Sequence, residues 1–399
     1  MQKKFLLWDN PCQAIYMLMF VLLILGGINV CSASYVTARD QFGSPLYYMG
    51  RYFVFALGGF IAMQLARKAG YRRLLKPELL WCCYVGVVAL LIAVNAIGTP
   101  VKGATRWLYI GPLSVQPSEC AKLIVIMLAA YYLGQQLDRG QRVSLFRSTG
   151  LWVAGAAVIS GFLIYRQPDL GTAAIVLALM LGMFIIAGLP FYQMFVVTGC
   201  AAFAAVFATI LSPYRLARVQ LWFDPWTAAT GDGYQMVQSF LAIGSGGLLG
   251  TTWGQGSSKF FYLPEAHTDF AFAIFCQENG FIGAVVVMII FALLGLAFCS
   301  ITLSSRDHKG FLLAGGITFL IIGQAFANMA MVCGILPVIG VPLIFISYGG
   351  SSMLISMTAI GLLLSVYDAE KQDMRYEALS PEARREEMRS QTIGRWRAR

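Results

Sequence analysis

Long apolar stretches recur along most of the chain and are separated by shorter polar segments. A helix needs roughly 20 apolar residues to cross a bilayer, and ten stretches come close to that length. The predicted spans are Ile15–Ser34, Tyr47–Ala66, Leu79–Ala96, Pro117–Leu133, Leu151–Tyr165, Gly171–Ile186, Phe191–Leu211, Gly280–Ile301, Phe311–Val332 and Ser352–Tyr367. An extra entering turn over Phe270–Phe275 is predicted before the eighth span. The pattern predicts an all-α polytopic membrane protein with about ten transmembrane helices.

Composition agrees with this class, because 58% of the residues are hydrophobic and only 12% are charged. We expect the first apolar run to be a span rather than a cleavable signal peptide, since it is long and no convincing small-residue cleavage motif follows it. One transmembrane domain is predicted over residues 1–367, followed by a charged tail over 368–399.

Most of the 29 Lys and Arg residues lie in alternate connections. They are Lys3, Lys4, Arg67, Lys68, Arg72, Arg73, Lys76, Arg139, Arg142, Arg147, Arg306, Lys309 and the basic residues of the tail. The positive-inside bias therefore predicts that both termini are cytoplasmic. The net charge of +10 follows from that topology beside anionic lipid and gives no reason to expect a nucleic-acid partner.

The nine cysteines lie almost all in or beside apolar spans, without the paired spacing of metal ligands. The chain has only two histidines, so no His/Cys metal site is predicted. Of the longer outer connections, the second, over residues 212–269 and called the outer loop below, is rich in aromatic residues. Aromatic side chains suit a membrane interface, and we expect this loop to fold against the outer leaflet.

The end of the outer loop places Glu265, His267 and Asp269 within five positions, directly before an apolar run. A carboxylate at the edge of hydrocarbon is costly unless it is paired or used, so it marks a candidate functional site. The alternative is that the two acids cap the next helix, because acids favour helix N-termini. The residues alone leave both interpretations open.

Two further polar constellations interrupt the apolar pattern. The first begins at Arg106 and continues to Glu119 and Lys122. The last two residues are three positions apart and can pair on one helix face. That pair is either a structural salt bridge or part of a substrate site. Asp169 lies between two spans, where an N-cap or turn role is favoured.

The segment from Gly340 to Ser352 combines glycines with the hydroxyls of Ser347 and Ser351. Irregular backbone at membrane depth is tolerated only inside protein or beside a cavity, so this segment is predicted to line one. Neither this segment nor the weaker glycine cluster at 244–247 ends in Lys-Ser/Thr, so neither is a P-loop.

Together these motifs resemble the SEDS (shape, elongation, division and sporulation) family of bacterial peptidoglycan polymerases. The matching segments are 106–107, 116–122, 167–172, 233–239, 242–247, 263–270 and 345–352, in family order and at family spacing. Residues 259–262 before the acidic motif look more like the FtsW-type division branch than the RodA-type elongation branch. Gln277, Asn279 and Ile344 depart from the usual family residues.

The resemblance implies the SEDS fold and a glycosyltransferase that polymerises lipid II at the outer face of the bacterial cytoplasmic membrane, for septal wall synthesis. Asp269 matches the family's catalytic aspartate and would act as general base. The candidates for stabilising the leaving pyrophosphate are Arg106, Lys122, Arg215, Arg218 and Lys259. Glu119, Glu265, His267, Ser347 and Ser351 complete the predicted cavity lining.

Mg²⁺ or Mn²⁺ bridging the phosphates is an expected cofactor, although the sequence shows no dedicated metal cage. Expected partners are lipid II, a class B penicillin-binding protein with transpeptidase activity, and other divisome proteins. The alternatives are a lipid II flippase, or a polymerase for elongation or sporulation. Glu119, Asp169, Glu265 and Asp269 map near the predicted outer side of the membrane, while the inner halves of the spans are nearly free of acids. This asymmetry favours an enzyme over a flippase, which needs polar groups through the bilayer depth.

Overall fold

The computed structural model describes residues 8, 10–98, 105–110, 113–210, 213–231, 233–260 and 263–378, without side chains at 109, 110, 113, 200–209, 213–215, 218 and 378. Its helices are α1 (Pro11–Phe42), α2 (Tyr47–Ala69), α3 (Tyr71–Leu74), α4 (Pro77–Ile97), α5 (Pro117–Asp138), α6 (Ser148–Tyr165), α7 (Leu170–Ile186), α8 (Phe191–Ile210), α9 (Pro213–Phe223), α10 (Tyr234–Gly246), α11 (Ala271–Ser304), α12 (His308–Val332) and α13 (Gly350–Ala378). Strands β1 (Leu108–Ile110) and β2 (Leu113–Val115) form an antiparallel hairpin.

The all-α membrane fold class is confirmed. Within the described residues, eight helices are long and apolar enough to cross a membrane, namely α1, α2, α4, α5, α6, α11, α12 and α13. The shorter apolar helix α7 and helix α8 coincide with the sixth and seventh predicted spans. The protein is therefore a multi-pass membrane protein, and the total of ten crossings stays a prediction.

Proline begins several of these helices. Pro11, Pro77 and Pro117 each occupy the first turn, where the missing N–H costs nothing and the fixed φ suits a helix. The predicted start of the fourth span at Pro117 is confirmed, whereas the helices predicted to begin at Ile15 and Leu79 begin earlier, at Pro11 and Pro77.

Helix α13 extends past Tyr367, the last residue of the predicted transmembrane domain, and into the predicted tail. Asp368 accepts hydrogen bonds from Arg67 Nε at 2.6 Å and Nη2 at 2.8 Å. Arg306 N donates to Glu370 Oε1 at 2.7 Å. The first residues of the predicted tail are thus helical and tied to the basic end of the bundle, while residues 379–399 lie outside the described part of the chain.

Helix α11 is broken at Gly280, whose φ of 66° and ψ of −170° are not helical. The predicted entering turn corresponds to the segment before this break, residues 271–279, called the leading half-helix below. Backbone from the outer loop fills the gap, because Phe281 N donates to Gly247 O at 2.9 Å and Thr251 N donates to Gln277 O at 3.0 Å. These bonds satisfy groups that the break frees, as a discontinuous membrane helix requires.

The outer loop folds into α9 and α10 with 3₁₀ turns at Pro225–Ala228 and Ser257–Lys259. Trp222 Nε1 donates to Gly334 O at 3.1 Å, and Ser239 Oγ donates to Val332 O at 2.9 Å. These bonds fasten the loop to the end of α12. The basic residues predict that this end of the bundle faces away from the cytoplasm, and it is therefore called the outer end.

Candidate active site

Asp269 and Arg106 approach the same glycine at the outer end. A Cβ atom placed on Gly340 would lie 3.6 Å from Asp269 Oδ2 and 3.8 Å from Arg106 Nη1. Gly340 itself has a φ of 69°, a conformation that glycine adopts without the penalty other residues incur. The sequence thus leaves a space without a side chain between a carboxylate and a guanidinium that are 163 positions apart. We define these three residues as the candidate active site.

Arg106 is held by the segment that precedes α7. Its Nη2 donates to Pro168 O at 2.6 Å, and its Nε lies 3.7 Å from Asp169 Oδ2. Asp169 is also the N-cap of α7, since its Oδ1 accepts from Thr172 N at 3.2 Å and its Oδ2 from Thr172 Oγ1 at 2.9 Å. The predicted N-cap role is confirmed, and the same carboxylate orients the arginine.

A close approach of two backbones brings Gly340 to this position. A Cβ on Gly171, in the first turn of α7, would lie 1.9 Å from Ile339 O, far inside van der Waals contact. Only glycine allows the start of α7 to press against the segment that carries Gly340. This explains physically why the Gln-Pro-Asp-Leu-Gly-Thr motif contains a glycine.

Asp269 is anchored through its backbone. It directly precedes Phe270, the N-cap of the leading half-helix. Asn328 Nδ2, on α12, donates to Asp269 O at 2.8 Å and to Val341 O at 2.6 Å. Sequence reasoning missed Asn328; the available signal was a carboxamide inside an apolar span, a position where polar groups usually have a function.

Glu265 stabilises the turn that leads to Asp269. It adopts a φ of 54°, and its Oε2 accepts a hydrogen bond from Thr268 Oγ1 at 2.7 Å. Its carbonyl oxygen accepts from Thr268 N at 3.1 Å and from Phe270 N at 3.2 Å. The structure therefore brings Glu265 close to Asp269 along the chain but gives its side chain a bond within the turn.

His267 joins an aromatic wall beside this turn. Its ring centroid lies 4.6 Å from that of Tyr48 and 6.1 Å from that of Tyr348. The backbone N of Tyr348 also donates to His267 O at 2.8 Å. Burial raises the pKa of the Tyr348 phenol above its ordinary value, so the wall presents a neutral ring on this side.

Glu119 and Lys122 form the pair that their spacing predicts. Lys122 Nζ donates to Glu119 Oε1 at 2.8 Å and to Gln324 Oε1 at 2.8 Å. The two charged residues are only 3% and 1% exposed. Gln324 Nε2 reaches Pro342 O at 3.4 Å, so the buried pair supports the segment that follows Gly340.

Ser347 and Ser351 bond to backbone. Ser347 Oγ accepts from Leu343 N at 3.0 Å. Ser351 Oγ accepts from Gln116 N at 3.2 Å and donates to Ser114 O at 2.9 Å, which ties the β-hairpin to α13. Both hydroxyls therefore help to shape the predicted cavity segment, and the irregular backbone expected between α12 and α13 is present.

Lys259 belongs to a second buried ion pair that the sequence analysis did not identify. Its Nζ donates to Glu278 Oε1 and to Ser32 Oγ, each at 3.0 Å. Ser32 Oγ donates to the same carboxylate oxygen at 2.6 Å. The lysine is 5% exposed and already neutralised. The side chains of Arg215 and Arg218, on α9, lie outside the described residues.

The described residues contain no group of three His, Cys, Asp or Glu side chains placed to hold a metal ion. The donor set at the candidate site is one carboxylate beside a guanidinium, which does not fit a dedicated divalent site. Mg²⁺ or Mn²⁺ would depend on substrate phosphates for most of its ligands, and its involvement stays a prediction.

Curated relatives align with nearly the whole chain. "Probable peptidoglycan glycosyltransferase FtsW" of Geobacter sp. (strain M18) is 36% identical over 353 residues, covering 88% of this chain and 95% of the relative. "Stage V sporulation protein E" of Bacillus subtilis is 36% identical over 361 residues, covering 90% and 97%.

Two solved structures share the fold. One, described as "Structural coordination of polymerization and crosslinking by a peptidoglycan synthase complex", has a TM-score of 0.76 at 26% identity and covers 92% of this chain and 100% of that chain. RodA of Thermus thermophilus has a TM-score of 0.65 at 25% identity, covering 89% and 96%. The family described as cell cycle protein, which comprises FtsW, RodA and SpoVE, matches residues 13–372. By this match and by its relatives, the chain belongs to the SEDS family of FtsW, RodA and SpoVE.

Proposed function

We propose that this protein polymerises lipid II into peptidoglycan glycan strands at the outer face of the cytoplasmic membrane. The convergence of Asp269 and Arg106 on the space above Gly340 carries the proposal. The names of the curated relatives support cell-wall glycosyl transfer as the activity. Transfer of a sugar from a lipid pyrophosphate needs a base that takes the acceptor's proton and a cation that stabilises the leaving group. Asp269 and Arg106 are suited to these two roles.

In the proposed reaction, the 4-hydroxyl oxygen of an acceptor sugar forms a bond to the anomeric carbon of a lipid-linked donor. The bond from that carbon to the pyrophosphate oxygen breaks, and the lipid pyrophosphate leaves. Asp269 takes the hydroxyl proton as general base. Arg106 stabilises the charge that develops on the leaving pyrophosphate, and its fixed orientation means that little reorganisation is needed as the charge forms.

Septal wall synthesis is the proposed cellular setting. Residues 259–262 before the acidic motif resemble the division branch, and several curated relatives carry the name FtsW. The sporulation relative of Bacillus subtilis is equally similar at 36% identity, so a sporulation polymerase is the second candidate.

A fluorescent fusion of this protein should concentrate at the division site; an even distribution along the side wall would contradict the septal role.

Purified protein in proteoliposomes with labelled lipid II tests the activity. We expect gel-resolved glycan chains that lengthen with time, because the site holds both a base and a stabilising cation. Movement of label across the bilayer without chains would identify a flippase and contradict the proposal. A protein that did neither would be a scaffold.

A class B penicillin-binding protein is the proposed partner, supported by the relative whose structure is described as a peptidoglycan synthase complex. We expect the cognate transpeptidase to co-purify with this chain and to raise its rate of polymerisation. A non-cognate penicillin-binding protein of the same class is the control. An unchanged rate together with no co-purification would refute the partnership.

The variant Glu119→Ala tests the buried pair. It leaves the charge of Lys122 in a nearly dry site, with the amide oxygen of Gln324 as its remaining described partner. Breaking a buried pair in this way costs on the order of 3–5 kcal/mol of stability, so thermal unfolding in detergent should begin at a lower temperature and polymerisation should fall.

The double variant Glu119→Lys, Lys122→Glu is the matched control, since it keeps both charges and should restore part of the stability and activity. If Glu119→Ala unfolded and polymerised like the wild type, the pair would have neither a structural nor a functional role.

A further inference from the structure

Three alternate carbonyl groups of the segment that carries Asp269 are tied to the loop before α13. His267 O accepts directly from Tyr348 N at 2.8 Å. The carbonyl oxygens of residues 269 and 271 are reached differently, because a side-chain carboxamide lies between each of them and the loop. The two bridging residues are Asn328 on α12 and Asn29 on α1.

Each asparagine donates from one nitrogen to both segments. Asn328 Nδ2 joins Asp269 O at 2.8 Å to Val341 O at 2.6 Å. Asn29 Nδ2 joins Ala271 O at 3.0 Å to Ile346 O at 3.4 Å. All four acceptors are carbonyl oxygens, so the nitrogen must face them and the opposite amide orientation would place oxygen against oxygen.

The bridges lie deep inside the bundle. Asn328 is 0% exposed and Asn29 is 3% exposed. Among the described residues, the Oδ1 atom of neither side chain has a hydrogen-bond partner. Each amide is therefore held to the two backbone segments through its nitrogen alone.

The geometry connects these bridges with the candidate active site. Val341, which Asn328 holds, directly follows Gly340, the residue on which Asp269 and Arg106 converge. Asn328 thus fixes the Asp269 backbone relative to the residue that neighbours the reaction space. Asn29 fixes the first residue of the leading half-helix in the same way.

We propose that Asn328 and Asn29 are positioning residues that set the place of the Asp269 carboxylate relative to Arg106. This proposal rests on the proposed function, because it assigns the two amides to the reaction that Asp269 assists. Neither amide is assigned a contact with substrate. A misplacement of about 1 Å caused away from the reacting atoms can lower a rate 10²-fold, which sets the size of the expected effect.

The test compares Asn328→Ala with Ser239→Ala in the full-length protein. Ser239 is also fully buried and donates to α12, at Val332 O, one turn beyond Asn328. Asn328→Ala loses two buried hydrogen bonds from α12 and Ser239→Ala loses one to the same helix, but Ser239→Ala leaves the Asp269 carbonyl untouched. Each variant is measured for polymerisation of lipid II, thermal stability and peptide-resolved amide hydrogen exchange.

For Asn328→Ala we expect kcat to fall about 10²-fold while KM for lipid II stays near that of the wild type. The unfolding temperature should fall, because two buried carbonyl oxygens lose their donor, but the variant should remain folded at the assay temperature. Amide exchange should rise together in residues 266–275 and 341–350, with the Tyr348 amide as the most direct reporter. Ser239→Ala should keep the wild-type rate and the wild-type exchange in both segments.

Wild-type exchange in both segments would overturn the proposal, and so would a general loss of protection with no separate fall in kcat. If Asn328→Ala does not fold, Asn29→Ala is measured in the same way; failure of both variants to fold would show that the amides serve the fold alone. If the wild type makes no polymer, the proposed function fails, while the exchange data still show whether the amides hold the two segments together.

Discussion

Irregular backbone at the outer end depends on hydrogen bonds from the rest of the protein. A membrane bundle offers little water to the N–H and C=O groups that a broken helix frees. The break at Gly280 is filled by loop backbone, and the loop before α13 is held by amides and hydroxyls from several helices. Each of these hydrogen bonds also fixes the orientation of the segment that it joins. The bonds that satisfy the freed backbone groups therefore also place Asp269 beside Gly340.

Buried charge follows the same rule. The described part of the bundle contains two nearly inaccessible lysines, Lys122 and Lys259, and each has a glutamate and a further polar partner. Such pairs contribute little net stability, but losing one member is costly. Arg106 differs, since it is partly exposed and its Nη1 lies near the open position above Gly340. Of these three cations, Arg106 is the least enclosed.

The sequence predicted the parts of this arrangement that depend on local patterns. Apolar runs located the helices, and the spacing of Glu119 and Lys122 predicted their pairing. It could not predict bonds between distant segments: Asn328 and Asp269 are 59 positions apart, and Asn29 and Ala271 are 242 positions apart. No periodicity records such contacts. The role of Gly171 was also hidden, because the close approach of Ile339 exists only in the folded chain.

The rate of Asp269→Asn measures the central claim most directly. The substitution keeps the shape of the side chain but removes the base, and general-base assistance is worth roughly 10² to 10⁴ in rate. Gel-resolved polymer from lipid II should nearly disappear, while the unfolding temperature stays that of the wild type and Glu265→Gln loses less activity. Polymerisation by Asp269→Asn at the wild-type rate would contradict the account, since this carboxylate would then take no part in the chemistry.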